Sequence, residues 1–172
     1  KPWRHPVTLA HMYGPAAPQS NGKQFTFENN VVGCPLSFCA YQLGIVAGDS
    51  HYGSIKRNAV FNWNGFGIGT VLGNEVGNEI ADNFVCRIHG TGSREDSDAG
   101  NGYWLSEPWS RVNNNVAANC HSLLGPYAQG FQVALSQFRV GWPDSPTHQG
   151  ADPTQPGQGV RLDPYQVALL WK

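Results

Sequence analysis

Aromatic residues set among asparagine and glycine are the part of this chain best suited to binding a ligand. Trp63 precedes Asn64, the pair Tyr103-Trp104 follows a glycine, and Trp109 comes shortly after. The C–H groups of a sugar face stack on aromatic rings, and sugar hydroxyls pair with neutral amides and backbone groups. The pattern therefore predicts a carbohydrate site at these five residues. The alternative is that the rings belong to the hydrophobic core, where many large aromatic side chains lie.

An acidic segment, residues 94–102, is a candidate ion site. Asp96 and Asp98 occupy alternate positions ahead of Gly100. Oxygen ligands at alternate residues of a tight loop suit Ca²⁺, although the closing glutamate of an EF-hand is absent. Calcium is therefore the one candidate cofactor, and a solvated acidic turn is the alternative. No transition-metal site is expected, because no two of the six histidines stand two or four residues apart.

A third candidate is Ser50, which ends the apolar segment that starts at Leu43. The stretch Leu43-Gly-Ile-Val-Ala-Gly-Asp-Ser50 resembles the first block of SGNH-type esterases, whose serine is the nucleophile. That family has a later Asp-x-x-His, and the nearest counterpart, Asp144 to His148, is one residue too long. The resemblance implies a small hydrolase with helices between parallel strands, whereas the downstream chain has the pattern of short strands. An ordinary Asp-Ser turn is the alternative.

Four cysteines, an even number, predict a disulfide framework. Cys34 pairs with Cys39 in this interpretation, and Cys86 pairs with Cys120 across a 34-residue loop. The longer bridge would stabilise the fold by about 3–4 kcal/mol. Free buried thiols, a zinc site and a cysteine nucleophile with a distant histidine are the alternatives. Disulfides, together with a first residue that is not methionine, predict a processed and secreted extracellular protein.

Composition excludes several classes of protein. The chain has 172 residues, a net charge of -1 and only 13% charged residues, against about 25% in a typical soluble domain. Its basic residues form no stripe, so nucleic acid is not an expected partner. No apolar run reaches the roughly 18 residues of a membrane-spanning helix. One folded domain over residues 23–172, preceded by an extended arm over residues 1–22, is the expected organisation.

Short segments bounded by glycine and proline predict strands rather than helices. The clearest is Phe84–Ile88, where apolar residues alternate. Other predicted strands are residues 24–28, 42–47, 58–63, 66–72, 131–135 and 165–171, and for the last two a helix is the alternative. One short helix is predicted at about residues 110–124, because Val112, Val116 and Cys120 are four residues apart. No repeat at a fixed interval is found.

The predicted fold is mainly β, a disulfide-stapled sandwich or jelly-roll-like domain with long loops and that one helix. The predicted function is a secreted or surface recognition module that binds a glycan or cell-surface ligand without catalysis. The first alternative is a structural subunit of an extracellular assembly, such as a filament, coat or adhesin, in which the N-terminal arm contacts a neighbouring copy. A small extracellular hydrolase is the second alternative.

Overall fold

The computed structural model describes residues 6–10, 12, 23–35, 43–71, 75, 77–90, 99–106, 110–122 and 128–133. Over these ranges the chain forms short strands that pair in parallel, and it contains no helix. Sheet A is ordered β1 (Val7–Ala10), β4 (Ile45–Gly48), β7 (Phe66–Thr70), β11 (Asn101–Leu105) and β15 (Phe131–Val133). Sheet B is ordered β2 (Thr26–Glu28), β5 (Ser54–Lys56), β8 (Glu79–Ala81) and β12 (Arg111–Asn113). Sheet C is ordered β3 (Val31–Gly33), β6 (Ala59–Phe61), β9 (Phe84–Cys86) and β13 (Val116–Ala118), and a small pair joins β10 (His89–Gly90) to β14 (His121–Ser122).

The chain passes through sheets A, B and C in turn and then returns to sheet A. Each such circuit is one coil, and every strand pairs with its counterpart in the next coil, as β5 pairs with β8 and β6 with β9. This arrangement is a parallel β-helix. The prediction of a sandwich or jelly-roll is wrong, because those folds are built from antiparallel strands.

A repeated six-residue pattern forms the corner between sheets B and C. Asparagine lies three positions after an inward apolar residue, and an inward valine or alanine lies two positions after the asparagine. Ile55, Asn58 and Val60 are one example. Its asparagines are Asn30, Asn58, Asn83 and Asn115, separated by 28, 25 and 32 residues. Because the rest of each circuit varies in length, a search at a fixed interval does not find this repeat.

The asparagines of this corner form a hydrogen-bonded ladder along the stack of coils. The backbone N–H and side-chain Nδ2 of Asn58 both donate to Oδ1 of Asn83 at 3.0 Å. Asn83 donates in the same way to Oδ1 of Asn115, at 3.0 Å from each nitrogen, and its Nδ2 also donates to the carbonyl of Ile55 at 2.9 Å. The ladder therefore satisfies polar groups that the tight corner buries.

The residue before each ladder asparagine adopts a left-handed backbone conformation. Its φ is 61° at Asn29, 52° at Arg57, 56° at Asp82 and 52° at Asn114. A single residue in this conformation turns the chain sharply, so that sheet C starts at an angle to sheet B.

The predicted helix at residues 110–124 is wrong. Val112 lies in β12 and packs against the core, whereas Val116 lies in β13 with 51% of its surface exposed. The left-handed Asn114 between them cannot belong to an α-helix. The spacing of four residues reflects successive strands around the corner rather than one face of a helix.

The core fills the space enclosed by the three sheets. Sheet A contributes Ile45, Ile68 and Tyr103, and sheets B and C contribute columns that include Ile55 and Val85; all five are fully buried. Here a column means the residues at equivalent positions of successive coils. The hydrophobic effect thus holds the coils together from inside, since each inward side chain packs against those above and below it.

Glycine occupies one inward column at the start of the sheet A strands: Gly44, Gly67, Gly102 and Gly130. A Cβ atom added at Gly102 would lie 2.6 Å from the carbonyl oxygen of Gly130 and 2.7 Å from the Cβ of Ala117 in sheet C. Sheets A and C therefore approach closely along most of this column. A side chain at Gly44, Gly67 or Gly102 has no room, whereas a Cβ at Gly130 would meet Ala117 at an ordinary 3.4 Å.

The predicted disulfide between Cys86 and Cys120 is also wrong, since both are free thiols. Cys86 lies beside Ala118 on the outer side of sheet C, whereas Cys120 is stacked in register with the buried Ile88. The left-handed Asn119 turns the chain between these positions, so the two thiols face opposite sides. Burial raises the pKa of the Cys120 thiol. Cys34 is disulfide-bonded, and its predicted partner Cys39 lies outside the described residues. The described coils are held together by stacking and not by the predicted bridge from Cys86 to Cys120.

Part of the predicted N-terminal arm belongs to the β-helix. β1 pairs with β4 over four residues and forms one edge of sheet A. Most of residues 1–22, together with the predicted strand at residues 165–171, lies outside the described residues.

Candidate functional site

The aromatic residues of the predicted carbohydrate site are buried. The exposed fraction is 4% for Trp63, 0% for Tyr103 and 2% for Trp104, and the neighbouring Asn64 is 7% exposed. A sugar cannot stack on a ring that protein atoms cover on all sides. Trp109, the last residue of the predicted site, lies outside the described residues.

The polar atoms of two of these rings are bonded within the fold. Nε1 of Trp63 donates to the carbonyl of Val32 at 3.0 Å, and the hydroxyl of Tyr103 donates to the carbonyl of Asn83 at 2.9 Å. Burial raises the pKa of the Tyr103 phenol, and the nearby Cys120 thiol raises it further. These side chains therefore join neighbouring coils, which is a structural role.

Ser50, the candidate nucleophile, is fully buried and bonded to the backbone. Its Oγ accepts from the N–H of Met12 at 3.1 Å and lies 3.0 Å from the carbonyl of Leu9 and 3.1 Å from that of Gly48. The hydroxyl joins the ends of β1 and β4 and is not open to a substrate. Its proposed base, His148, lies outside the described residues.

Next to Ser50 the turn after β4 buries further polar side chains. Asp49, His51 and Glu75 are each at most 1% exposed. Oδ1 of Asp49 lies 3.7 Å from Nε2 of His51, and the backbone N–H of Asp49 donates to Oε1 of Glu75 at 3.2 Å. These contacts hold the turn between sheets A and B.

The candidate calcium ligands Asp96 and Asp98 lie outside the described residues, so their prediction stands as made. In the part that is described, no group of three or more histidine, cysteine, aspartate or glutamate side chains is arranged to hold a metal ion. The same part has no helix with the length and apolarity to cross a membrane.

The outer side of sheet C is the most unusual surface of the described chain. Two outward columns of residues form it, and together we call them the apolar face. The first column is Val31, Ala59, Phe84 and Val116, and the second column is Gly33, Phe61, Cys86 and Ala118. Val31 is 74% exposed, Val116 51% and Phe84 45%. None of the eight residues carries a charge. Contiguous exposed apolar surface usually marks a site of interaction.

The outer side of sheet B shows the opposite chemistry. Nζ of Lys56 lies 2.7 Å from Oε2 of Glu79, and Nζ of Lys23 lies 3.3 Å from the same oxygen. The Lys56 ammonium lowers the pKa of the Glu79 carboxyl, with help from Lys23. Arg57 forms an ion pair with Glu28 in the same region. Sheet B thus has an ordinary charged and solvated surface. Both sheets have the same strand arrangement, so the apolar face differs from sheet B only in the types of its outward residues.

Two rims of left-handed residues border the apolar face. The first rim, on the side of sheet B, is Asn29, Arg57, Asp82 and Asn114, and the second rim, on the other side, is Asn62, Arg87 and Asn119. In the coil that contains β9, an exposed Asp82 on the first rim stands across the face from an exposed Arg87 on the second. That coil therefore carries opposite charges on its two rims.

Beyond the second rim, His89 and His121 stack in successive coils. Nδ1 of His89 lies 3.0 Å from Nε2 of His121, and the ring centroids are 4.3 Å apart in an edge-to-face arrangement. Burial lowers the pKa of His89, and the neighbouring His121 and Arg87 lower it further.

Acidification is expected to destabilise the fold through His89. Because its pKa is lower in the folded state than the ordinary 6.5, the unfolded chain binds more protons between the two values. The stabilisation is complete above about pH 6.5 and is lost as the pH falls towards the folded-state pKa. Urea unfolding at pH 7.5 and at about pH 5.5 measures this loss, and His89→Gln should reduce it. An equal loss in the variant and the wild type would show that other groups cause the pH dependence.

A sequence signal for the apolar face exists in the corner repeat. The residue directly after each ladder asparagine is outward, as Phe84 after Asn83 and Val116 after Asn115. Without the repeat these apolar residues are indistinguishable from core residues.

No protein-family model, curated protein or solved structure matches this chain. The candidate site is therefore defined by its own geometry.

Proposed function

We propose that this chain is a structural subunit that associates with other copies of itself through the apolar face of sheet C. The observation that carries the proposal is the exposure of Val31, Phe84 and Val116 on one continuous uncharged surface. Covering such a surface removes apolar area from water, which favours association.

The low charge of the chain supports the same function. Only 13% of residues are charged and the net charge is -1, so long-range repulsion between copies is weak. A stack of hydrogen-bonded coils is also a rigid body, which suits a structural role.

A carbohydrate ligand fits the apolar face less well than a protein surface does. Sugar hydroxyls need polar partners, and the outward side chains of Ala59, Phe61, Phe84 and Val116 provide none. The rings predicted to stack on sugars, Trp63 and Trp104 among them, are buried. The carbohydrate prediction thus has no support among the described residues.

The dimensions of the face indicate that the association is weak. Four strands about 4.8 Å apart and three residues of about 3.3 Å each cover about 200 Å², a fraction of the roughly 800 Å² per partner in a stable complex. The rims add contact area around this centre. A dissociation constant on the order of 10–100 μM is therefore expected.

Val116→Lys tests the proposed function. The substitution places an ammonium group within the apolar contact, on the last strand of sheet C. We expect it to weaken self-association at least tenfold in sedimentation velocity, measured from about 5 to 500 μM. The matched control is Asn113→Lys, which adds the same charge to an exposed outward position of the same coil in sheet B. Asn113→Lys should stay within about twofold of wild type, because charges on the exposed surface have small effects.

Two outcomes would overturn the proposed function. The first is a wild-type chain that stays monomeric at the highest concentration. The second is equal association by Val116→Lys and Asn113→Lys. Urea unfolding of both variants verifies that each is folded, and because both positions are exposed, changes within about 0.5 kcal/mol are expected.

A further inference from the structure

The outward residues of the apolar face alternate in size within each coil. Each coil places one larger and one smaller residue side by side, two positions apart on the same strand. The pairs are Val31 with Gly33, Ala59 with Phe61, Phe84 with Cys86, and Val116 with Ala118. The face is therefore not uniform, and its pattern limits how a second surface can pack on it.

A second copy can match this pattern by rotation about an axis that runs along the stack of coils. Such a rotation lays the first column of one copy over the second column of the other, coil by coil. Phe84 then faces Cys86 of the other copy, and Val116 faces Ala118. In the coils of Ala59, Phe84 and Val116 a larger residue therefore lies against a smaller one, which allows close packing. In the remaining coil the ring of Phe61 already covers Gly33, so Val31 packs against that ring.

The same rotation brings opposite charges together. It places the first rim of one copy over the second rim of the other, so that Asp82 of each copy faces Arg87 of the other. Both side chains are exposed and are thus available for this contact. In the next coil Arg57 faces the neutral Asn62, so no like charges meet there. Because the axis is two-fold, the Asp82–Arg87 contact forms twice.

We propose that the partner on the apolar face is a second copy of this chain, related by a two-fold axis along the coil stack, with Asp82 and Arg87 paired across both rims. This inference rests on the proposed function and specifies the geometry of the contact. The complementary rim charges select the register, while the apolar columns contribute most of the binding.

The competing arrangement has its two-fold axis along the strands. It reverses the order of the coils, so that Val31 faces Val116 and Gly33 faces Ala118. Two larger residues, Val31 and Val116, then meet at each end of the face, which produces overlap. This arrangement also places Asp82 opposite Arg57, whose guanidinium already pairs with Glu28. The size pattern and this existing ion pair both favour the axis along the stack.

Charge exchange at the rims tests the geometry. Asp82→Arg and Arg87→Asp each place like charges together at both symmetric contacts, and each is expected to weaken self-association about tenfold in low salt. The double variant Asp82→Arg/Arg87→Asp restores opposite charges and should return to within about threefold of wild type. The effect of each single variant should shrink in high salt, because salt screens exposed charges. Arginine and aspartate already occupy left-handed rim positions in this chain, so both substitutions suit the backbone.

A second double variant distinguishes the two axes. Asp82→Arg/Arg57→Asp restores opposite charges only in the arrangement with the axis along the strands. Recovery by this variant, or failure of Asp82→Arg/Arg87→Asp to recover, would overturn the inferred geometry. The proposed function has its own test, since Val116→Lys weakens association in either arrangement. If Val116→Lys loses association but Asp82→Arg/Arg87→Asp does not recover it, the inferred geometry is refuted while the proposed function stands.

Discussion

Replacing Asn83 by alanine is expected to lower the free energy of unfolding by about 3–5 kcal/mol. The substitution removes the Oδ1 that accepts from both nitrogens of Asn58, and the Nδ2 that donates to the carbonyl of Ile55. Asn83 is 1% exposed, so water cannot replace these bonds without opening the corner. Each buried group left without a partner costs about 1–3 kcal/mol. Urea unfolding at pH 7.5 measures the effect.

Asn113→Ala is the matched control for this prediction. Asn113 lies two residues from the ladder residue Asn115, but its side chain is exposed on the outer side of sheet B. Its replacement should change the free energy of unfolding by at most about 0.5 kcal/mol. Similar values for Asn83→Ala and Asn113→Ala would contradict a stabilising role for the ladder.

Adding one methyl group at Gly102 is expected to have the second largest effect, a loss of about 2–4 kcal/mol. The new Cβ would lie 2.6 Å from the carbonyl oxygen of Gly130 and 2.7 Å from the Cβ of Ala117. Neither atom is the end of a flexible side chain, so relief requires the strands of sheets A and C to separate. That separation would loosen the core on both sides of the column.

Gly130→Ala is the control, because Gly130 occupies the same column in the next coil. A Cβ at Gly130 would meet Ala117 at 3.4 Å, which is an ordinary van der Waals distance. We expect this variant to unfold within about 0.5 kcal/mol of wild type. Thermal or urea unfolding of the two alanine variants makes the comparison. A Gly102→Ala variant as stable as Gly130→Ala would show that the sheets can move apart freely.

Strands could be predicted from the sequence, but their connections could not. The alternation in Phe84–Ile88 correctly indicates a strand, and Phe84 and Cys86 do share the outer side of β9. Ile88 faces the core instead, because the left-handed Arg87 turns the chain before it. Alternation reports local conformation only, whereas parallel pairing in the described chain joins residues 23 to 38 positions apart. Parallel and antiparallel strands of this length have the same local pattern.

The apolar face could not be predicted from the sequence for a related reason. Residue type predicts that Trp63 and Trp104 can bind a sugar, but it does not say which side of a strand they occupy. In a β-helix that side depends on distance from the corner asparagine, so Val85 is buried whereas Phe84 is exposed. Once Asn58, Asn83 and the other ladder residues are aligned, the outward positions follow directly from the sequence.

The corner between sheets B and C has the same number of residues in every described coil. The coils differ in length only in the rest of the circuit. From the inward residue of sheet B to that of sheet C the chain always takes five steps, as from Ile55 to Val60 and from Ile80 to Val85. Counted from one ladder asparagine to the next, a full circuit nevertheless spans 25, 28 or 32 residues. A single residue inserted at the corner would displace its asparagine and reverse the facing of the following strand. Insertions in the connections between strands would only enlarge a loop, so evolution can lengthen this protein in those connections or by whole coils.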